Sequence, residues 1–521
     1  MHWSKKIALD VVARHPNVKE YVVASGISPS GSIHIGNYRE FITNYYVGKA
    51  LKALGKKVKM IHSWDNFDRL RKVPKNVAAA TTGFEQHIGK ALSDIPNPFG
   101  DGSYAEHFQN EFQIALDELQ MNEIPFSVKS QYDLYKTKTY AKQIIHALKH
   151  RKQIYDIITS FKTQDGDEGE RETYYPIQIY CHTCGRDSTK IVSCSADCES
   201  IEYKCACDGK THTVKISDSD NIKLAWKIDW PMRWKHEGVH FEAAGIDHHS
   251  DGGSFDVCSR ICREIYDHEP PMSVCYAWVG IKGISSGNMA SSTGVNITPE
   301  TCLAIYEPEI IRWLYAKYDF GASFDFGFDD TITRHYMEFD RGVQKFIGKE
   351  EMEDYDRTVF ELCLFENTKS ANQVSFGTLA TVAPLANFDH ALVEKMLNTK
   401  VDAQRTQKVK FWLENYAPDK IYKLLGSFNK KFFDTLDTNE KATLAKLKEF
   451  LQTTRTEKDI QEFLYQIINN PDAPKKENIA AQQRYFKIFY NMLFGRDDGP
   501  RLYLYLAVAD KQKYLQWLYP G

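Results

Sequence analysis

Gly26-Ile-Ser-Pro-Ser-Gly-Ser-Ile-His34-Ile-Gly-Asn37 follows the apolar run Tyr21-Val22-Val23-Ala24. The apolar run predicts a buried strand, the Pro/Gly/Ser stretch a turn, and the residues from about Gly36 the start of a helix. Small residues let backbone N–H groups approach a bound phosphate, and a helix N-terminus adds partial positive charge. His34 and Asn37 are three residues apart, so both face one side of the first helical turn and can reach one nucleotide.

Working outward, Tyr38, Phe41, Ile42 and Tyr45 recur at helical spacing, and the helix is expected to run to Leu54 and stop at Gly55. A second buried strand follows at Val58–Ile61. A strand–helix–strand unit implies a parallel sheet that takes its ligands at the carboxyl ends of its strands. The loop His62-Ser-Trp-Asp65-Asn-Phe-Asp68 then opens at the same crevice as His34. The α/β pattern resumes at His240–Gly245, with a helix from about Ser254 to Tyr266 and an apolar run, Val274–Ile281, read as a further strand. Asp247-His248-His249 lie between strand and helix start, a second place where a ligand meets a helix N-terminus. Lys282 to Gly294 is rich in Gly and Ser and reads as a mobile loop at the carboxyl edge of the sheet.

Cys181-x-x-Cys184-Gly is a tight turn that presents two thiolates to one metal, and Cys205-x-Cys207 supplies a second pair. These four cysteines are the expected ligands of one structural zinc; Cys194 and Cys198 remain alternatives for the second pair or are free. Four protein ligands leave no open position, which argues against a catalytic zinc.

The 521 residues suit about three domains. The 42% hydrophobic and 26% charged content is that of a globular protein. No apolar run reaches the roughly 18 residues of a membrane span, and the N-terminus has no apolar signal core, so no membrane association, no export and a cytoplasmic location are expected. Eleven cysteines in such a chain point to thiols or metal ligands. The whole chain holds 66 Lys/Arg against 69 Asp/Glu, but the part from Lys400 onward holds 21 against 15. A basic C-terminal part suits an RNA partner.

The ordered set of motifs resembles the class I lysyl-tRNA synthetase family. Gly26 to Asn37 is similar to the His-Ile-Gly-His signature of class I synthetases in the form that ends in Asn. The further matches are Ser63-Trp-Asp65 with Arg71-Lys-Val-Pro74, Tyr104-Ala-Glu-His-Phe108, Cys181-x-x-Cys184, and Ile228-Asp-Trp-Pro-Met-Arg-Trp234. Gly245-x-Asp-His-His-Ser250, Tyr306-Glu-Pro-Glu309 and Gly499-Pro-Arg-Leu502 complete the set, so the resemblance covers essentially the whole chain.

It implies an α/β fold: a Rossmann-type class I synthetase catalytic domain with a zinc-bearing insertion, then an all-α C-terminal anticodon-binding domain. The expected divisions are 1–95 and 226–300 for the catalytic domain and 96–225 for the insertion, with a zinc ribbon at about 175–215. Residues 301–370 are assigned to stem contacts and 371–521 to the anticodon domain. The implied ligands are ATP with Mg²⁺, structural Zn²⁺, L-lysine and tRNA(Lys). A monomer is the working expectation, although the sequence leaves the oligomeric state open.

By position, ATP contacts fall on Ser28, Pro29, Gly31, His34, Gly36, Asn37, Asp247, Met289 and Ser291. Lysine contacts fall on Gly26, Asp65, Trp230, His248 and Tyr276, and the catalytic set is His34, Asn37, Lys282, Ser291 and Ser292. One departure stands out. The family's mobile loop carries Lys at the position of Asn288, and no Lys follows within the motif here; Lys282, six residues earlier, is the expected substitute. A glutamyl- or glutaminyl-type synthetase and a tRNA-binding paralogue without activation are the alternative readings, the first set against by the acidic Asp65 loop and the second prompted by Asn288.

Overall fold

The structure, a computed structural model, describes residues 1–162, 167–283, 297–368, 374–453 and 455–520. Asn288, Met289, Ser291, Ser292 and Gly294 of the expected mobile loop lie outside these residues. The chain forms two compact units. The first comprises Met1–Leu303, Pro308–Phe326 and Glu350–Thr368; the second comprises Ala304–Glu307, Gly327–Lys349 and Lys369–Gly521. The segment 301–370, expected to be one region, is thus shared between them. Among the described residues no helix is long and apolar enough to cross a membrane.

The first unit is built on a parallel sheet. Strand Val58–Trp64 lies between Tyr21–Ile27 and Phe126–Ser130, all three parallel. On the far side of Tyr21–Ile27, Phe241 bridges in parallel to both Val23 and Met272, and Ala244–Gly245 pairs in parallel with Cys275–Tyr276. Across the sheet the chain order is therefore third, second, first, fourth, fifth. Connections leave the first and fourth strands in opposite directions, and the crevice between their carboxyl ends is where such sheets bind ligands.

Two expectations about this sheet need correction. Phe126–Ser130 falls inside 96–225, so the insertion begins only after Ser130. Its polar Ser127, Lys129 and Ser130, with Val128 turned to solvent at the sheet edge, hide a strand that hydrogen bonding to Val58–Trp64 makes unambiguous. The run Val274–Ile281 is not one strand but two, Cys275–Tyr276 and Val279–Lys282, in different sheets. The break is at Ala277 and Trp278, whose carbonyls accept from the Arg39 guanidinium, while Ala277 N–H donates to Phe320 O.

Helix Ile35–Ala53 fills the space over the sheet and is buried on nearly every face, with Tyr38, Phe41, Ile42, Tyr45, Tyr46 and Val47 all in the core. Gly55, at φ +74°, ends it in the left-handed conformation that glycine adopts without steric cost. After Ser130 come short helices and then the antiparallel strands of the insertion: Ile177–Ile179 with Ile222–Leu224, and the ribbon Thr189–Cys194, Ser200–Cys205 and Thr211–Lys215.

Helix Trp226–Glu237 returns the chain to the sheet with Pro231 in its interior. Proline has no N–H, so the Lys227 carbonyl four residues earlier loses its helical donor. The Cys258 thiol of helix Ser254–Glu264 donates to that carbonyl at 3.4 Å. A buried thiol thus completes the helix that carries Trp226, Trp230, Arg233 and Trp234.

The second unit is helical, with a core of Leu444, Leu447, Phe489, Met492 and Leu493 among others. Its separate chain segments meet at Arg405, which is fully buried. The guanidinium contacts Glu307 at 2.6 and 3.0 Å and Asp340 at 2.7 and 2.8 Å, and lies 4.9 Å from the Tyr336 ring centroid. Removing one member strands buried charge. Arg405→Ala should therefore cost about 3–5 kcal/mol, read as a lower urea midpoint for this unit. Replacing Arg405, Glu307 and Asp340 together by Met, Leu and Leu should recover most of that loss. A single variant as stable as the parent would show that the cluster does not hold the unit together.

Candidate active site

Strand Tyr21–Ile27 ends in Ser25, Gly26 and Ile27, and the loop from Ser28 to Ile33 leads to His34 at the cap of helix Ile35–Ala53. Pro29 and Gly31 are buried and Ser28 partly so, and Tyr104 Oη holds the turn by donating to Ser30 O at 2.8 Å. His34 Nδ1 accepts from Gly36 N–H at 3.0 Å and Asn37 N–H at 3.3 Å. The imidazole does the work usually done by a Ser or Asp cap. A Cβ at residue 36 would lie 2.8 Å from His34 Cε1, so only glycine leaves room for this contact.

The cap fixes the tautomer. Nδ1 accepts, so the ring proton sits on Nε2 and is available to an acceptor in the crevice. Burial pushes the His34 pKa down to about 4, so the ring stays neutral at ordinary pH. Deeper in the sheet His62 bonds to Ser25 Oγ at 2.8 Å, and burial lowers its pKa to about 3.

A cleft open to solvent lies at the carboxyl ends of the first and fourth strands. Ala24, Ser25 and Gly26 line it from one strand and Ala243 and Ala244 from the other. Trp226, Trp230 and Trp234, one helical turn apart, form an aromatic wall with centroid spacings of 5.0 and 4.9 Å. His248 stands 5.4 Å from the Trp230 ring.

The polar lining is acidic. Glu40 Oε1 accepts from Gly26 N–H at 2.8 Å, and Oε2 from Tyr276 Oη–H at 3.2 Å. Burial pushes its carboxyl up to about 8. Glu242 accepts from Trp234 Nε1 at 2.7 Å and is also raised by burial. Asp65 is raised by burial too, against the opposing pull of Arg233, with which it pairs at 2.7 Å. Arg233 also pairs with Asp229 at 3.2 Å, outside the cleft lining. Four carboxyl groups, Glu40, Asp65, Glu237 and Glu242, therefore line the cleft with one cation, Arg233; Glu237 pairs at 3.4 Å with Lys129, outside the lining. Buried Arg233 Nε and His248 Nδ1 have no hydrogen-bond partner among the described residues. Unpaired buried polar atoms that line a cleft are what a ligand would satisfy.

Of the residues singled out from sequence, Gly26, Asp65, Trp230 and His248 line this cleft, and Tyr276 reaches it through Glu40. Gly245 lies against the Tyr276 ring; a Cβ there would meet the ring at 3.4 Å, an ordinary van der Waals contact. Asp247 is exposed on the short helix Ile246–His249. Lys282 is about half exposed, its Nζ 3.5 Å from Asp325 Oδ2. Glu40, Glu242 and Arg233 were not singled out. Glu40 carried a signal: it is the one acidic residue of helix Ile35–Ala53, three positions after Asn37 and so near the same face.

The four cysteines Cys181, Cys184, Cys205 and Cys207 come together, all Sγ atoms lying within 4.8 Å of one another. Two Sγ–Sγ separations are 3.7 Å, close to the roughly 3.8 Å edge of a tetrahedron with metal–sulfur bonds of about 2.3 Å. Gly185, at φ +71°, closes the first turn by donating to Cys181 O. Cys194 and Cys198 stay outside this group and pack against the apolar core.

A parallel sheet of this order, a His-x-Gly-Asn helix cap at its first crossover and a cleft at its switch point define a class I aminoacyl-tRNA synthetase catalytic domain. Residues 1–366 match the family described as tRNA synthetases class I (K), and the chain belongs to that family. A lysine–tRNA ligase of Pyrococcus furiosus is 32% identical, with 98% of each chain covered. That of Borreliella burgdorferi is 33% identical over 96% of this chain and 95% of its own, and that of Thermococcus kodakarensis 33% identical over 98% of each.

The neutral cap has a pH signature. An unfolded histidine titrates near about 6.5. The stability that His34 contributes is thus complete above that pH and is lost as the pH falls toward about 4, where Nδ1 takes a proton. Nitrogen NMR should show the His34 Nε2–H tautomer at pH 6; an imidazolium there would rule out the cap.

Proposed function

We propose that this chain is a lysine–tRNA ligase whose amino-acid pocket is the acidic cleft. The observation that carries the reading is the excess of carboxyl groups over cations in a cleft walled by tryptophan. A glutamate substrate would need the opposite balance. The ε-ammonium of lysine pairs with Glu40, whose two oxygens are already oriented by Gly26 N–H and Tyr276 Oη–H. Trp230 and Trp226 cover its methylenes. Asp65 shapes the pocket through Arg233 rather than by facing the ammonium alone.

In the first step a lysine carboxylate oxygen attacks the α-phosphorus of ATP and pyrophosphate leaves, forming lysyl-adenylate. The nucleophile is already an anion, so the step needs positioning and charge stabilisation more than a base. His34 Nε2–H supplies a donor for a phosphate oxygen, and helix Ile35–Ala53, whose first N–H groups are already taken by His34 Nδ1 and Ile297 O, adds the partial positive charge of its N-terminus. Mg²⁺ arrives with ATP. In the second step the 2′-hydroxyl of the terminal adenosine of tRNA(Lys) takes the lysyl group and AMP leaves. The helical unit, with the basic excess beyond Lys400, is the anticodon-binding part. Cys181, Cys184, Cys205 and Cys207 would hold one zinc, which fixes the turn Cys181–Gly185 against the ribbon and takes no part in the reaction.

Lysine-dependent pyrophosphate exchange into ATP tests the reading directly. It should appear with lysine and not with glutamate, glutamine or arginine, and exchange driven by glutamate would overturn the assignment. Glu40→Gln should raise the KM for lysine roughly a hundredfold or more, because a desolvated ammonium would lose its charged partner.

Since the empty Glu40 carboxyl titrates near about 8, lysine has to displace its proton. Lysine affinity should therefore climb about tenfold per pH unit up to that region and level above it, until the amine itself deprotonates near about 10.4. A flat profile between pH 6 and 8 would remove Glu40 from the contact.

Elemental analysis should find one zinc per chain, and Cys181→Ser should lower both zinc content and thermal stability. Metal-free protein of undiminished stability would refute the tetrathiolate.

A further inference from the structure

Arg39, next to Glu40 on helix Ile35–Ala53, is buried, and the five acceptors of its guanidinium are main-chain carbonyls. Nη1 donates to Ala277 O at 2.8 Å and Trp278 O at 3.2 Å. Nη2 donates to Asp319 O at 3.0 Å, Phe320 O at 2.9 Å and Ala322 O at 2.9 Å. The guanidinium carbon lies 5.3 Å from the Phe324 ring centroid. A cation left in the interior without a carboxylate is costly, and burial lowers its pKa. An apolar side chain would fill the same space more cheaply, so the arrangement calls for a reason other than stability.

The geometry points to one. Glu40 takes the Tyr276 hydroxyl, and Arg39 takes the carbonyl of Ala277, the next residue. Two consecutive helical residues thus grip the same short stretch of chain, one by its side chain and one by its backbone. The Arg39 fork also ties that stretch to residues 319–322, where Ala277 N–H donates to Phe320 O at 2.9 Å. The strand that carries Tyr276 is only two residues long and, among the described residues, is held on its other side by Ala244–Gly245 alone.

We propose that Arg39 is a positioning residue for amino-acid recognition. It sets the strand that carries Tyr276, and through the Tyr276 hydroxyl it sets the Glu40 carboxylate. The inference rests on the reading of the cleft as the lysine pocket. A lysine at position 39 keeps the charge but has no planar fork to span two segments.

Arg39→Lys and Arg39→Met should each raise the KM for lysine roughly tenfold or more in pyrophosphate exchange, and leave the KM for ATP within about twofold. Lys should be the milder of the two. A role in fold stability alone would lower the amount of active enzyme and leave both KM values unchanged. A double-mutant cycle supplies the second readout. If Arg39 acts through Tyr276, adding Arg39→Lys to Tyr276→Ala should raise the lysine KM no further than Tyr276→Ala does alone. Additive effects, an unchanged lysine KM, an equal rise in the ATP KM, or the failure of both Arg39 variants to fold would each overturn the proposal. If the unmodified protein gave no lysine-dependent exchange, the lysine reading itself would fall, and the proposal with it. Normal exchange by that protein beside unaffected Arg39 variants would sink the proposal alone.

Discussion

A half-buried carboxyl group given no cation of its own is the constraint on which the catalytic unit depends. Glu40 sits where desolvation drives its pKa to about 8, with one backbone N–H and one phenol for company. Such a group is tolerable only if its neighbours are fixed, because each is a large share of its remaining solvation. The fixing is visible around it. The Gly26 N–H comes from the end of the first strand, the phenol from the fifth, and the carboxylate from the helix between the first and second. Asn44, one turn further along that helix, accepts from Ala243 N–H of the fourth strand at 2.8 Å. The sheet order is thus restated as hydrogen bonds to two side chains, Glu40 and Asn44, one turn apart on a single buried helix.

Much of this was legible in the sequence, for local reasons. Tyr21–Ala24, the Pro/Gly/Ser turn and the spacing of Tyr38, Phe41, Ile42 and Tyr45 each obey a short-range rule, and the rules agree. Cys181-x-x-Cys184-Gly is equally local, since the turn itself brings the thiols together. What escaped was set by partners far along the chain. Phe126–Ser130 is a strand because Val58–Trp64 offers it an edge, not because its own residues alternate cleanly. Val274–Ile281 looks continuous, but Arg39 and Phe320 draw the backbone aside at Ala277. Asp65 was visible as an acidic crevice residue, while its pairing with Arg233, 168 positions away, was not. Glu40 and Arg39 stand side by side in the sequence, and nothing within the helix says that one faces a cleft and the other a bundle of carbonyls.

The two units also differ in how they handle buried charge. In the catalytic unit positive and negative groups are left incompletely matched around the cleft, as a cationic ligand requires. In the helical unit Arg405 is matched on both sides by carboxylates and stacked on Tyr336. The first arrangement gives up stability for recognition, and the second holds discontinuous segments in one fold.

That discontinuity sets a timetable. During synthesis the chain passes back and forth between the two units five times before it stays with the second. Glu307 and Asp340 leave the ribosome 98 and 65 residues ahead of the arginine that neutralises them. At roughly 5–20 residues per second Asp340 waits about 3–13 s, and Glu307 longer. Over that interval neither carboxylate can enter an apolar core, so both stay hydrated. Closing the helical unit around its first segments before Arg405 emerges would bury two carboxyl groups without their cation.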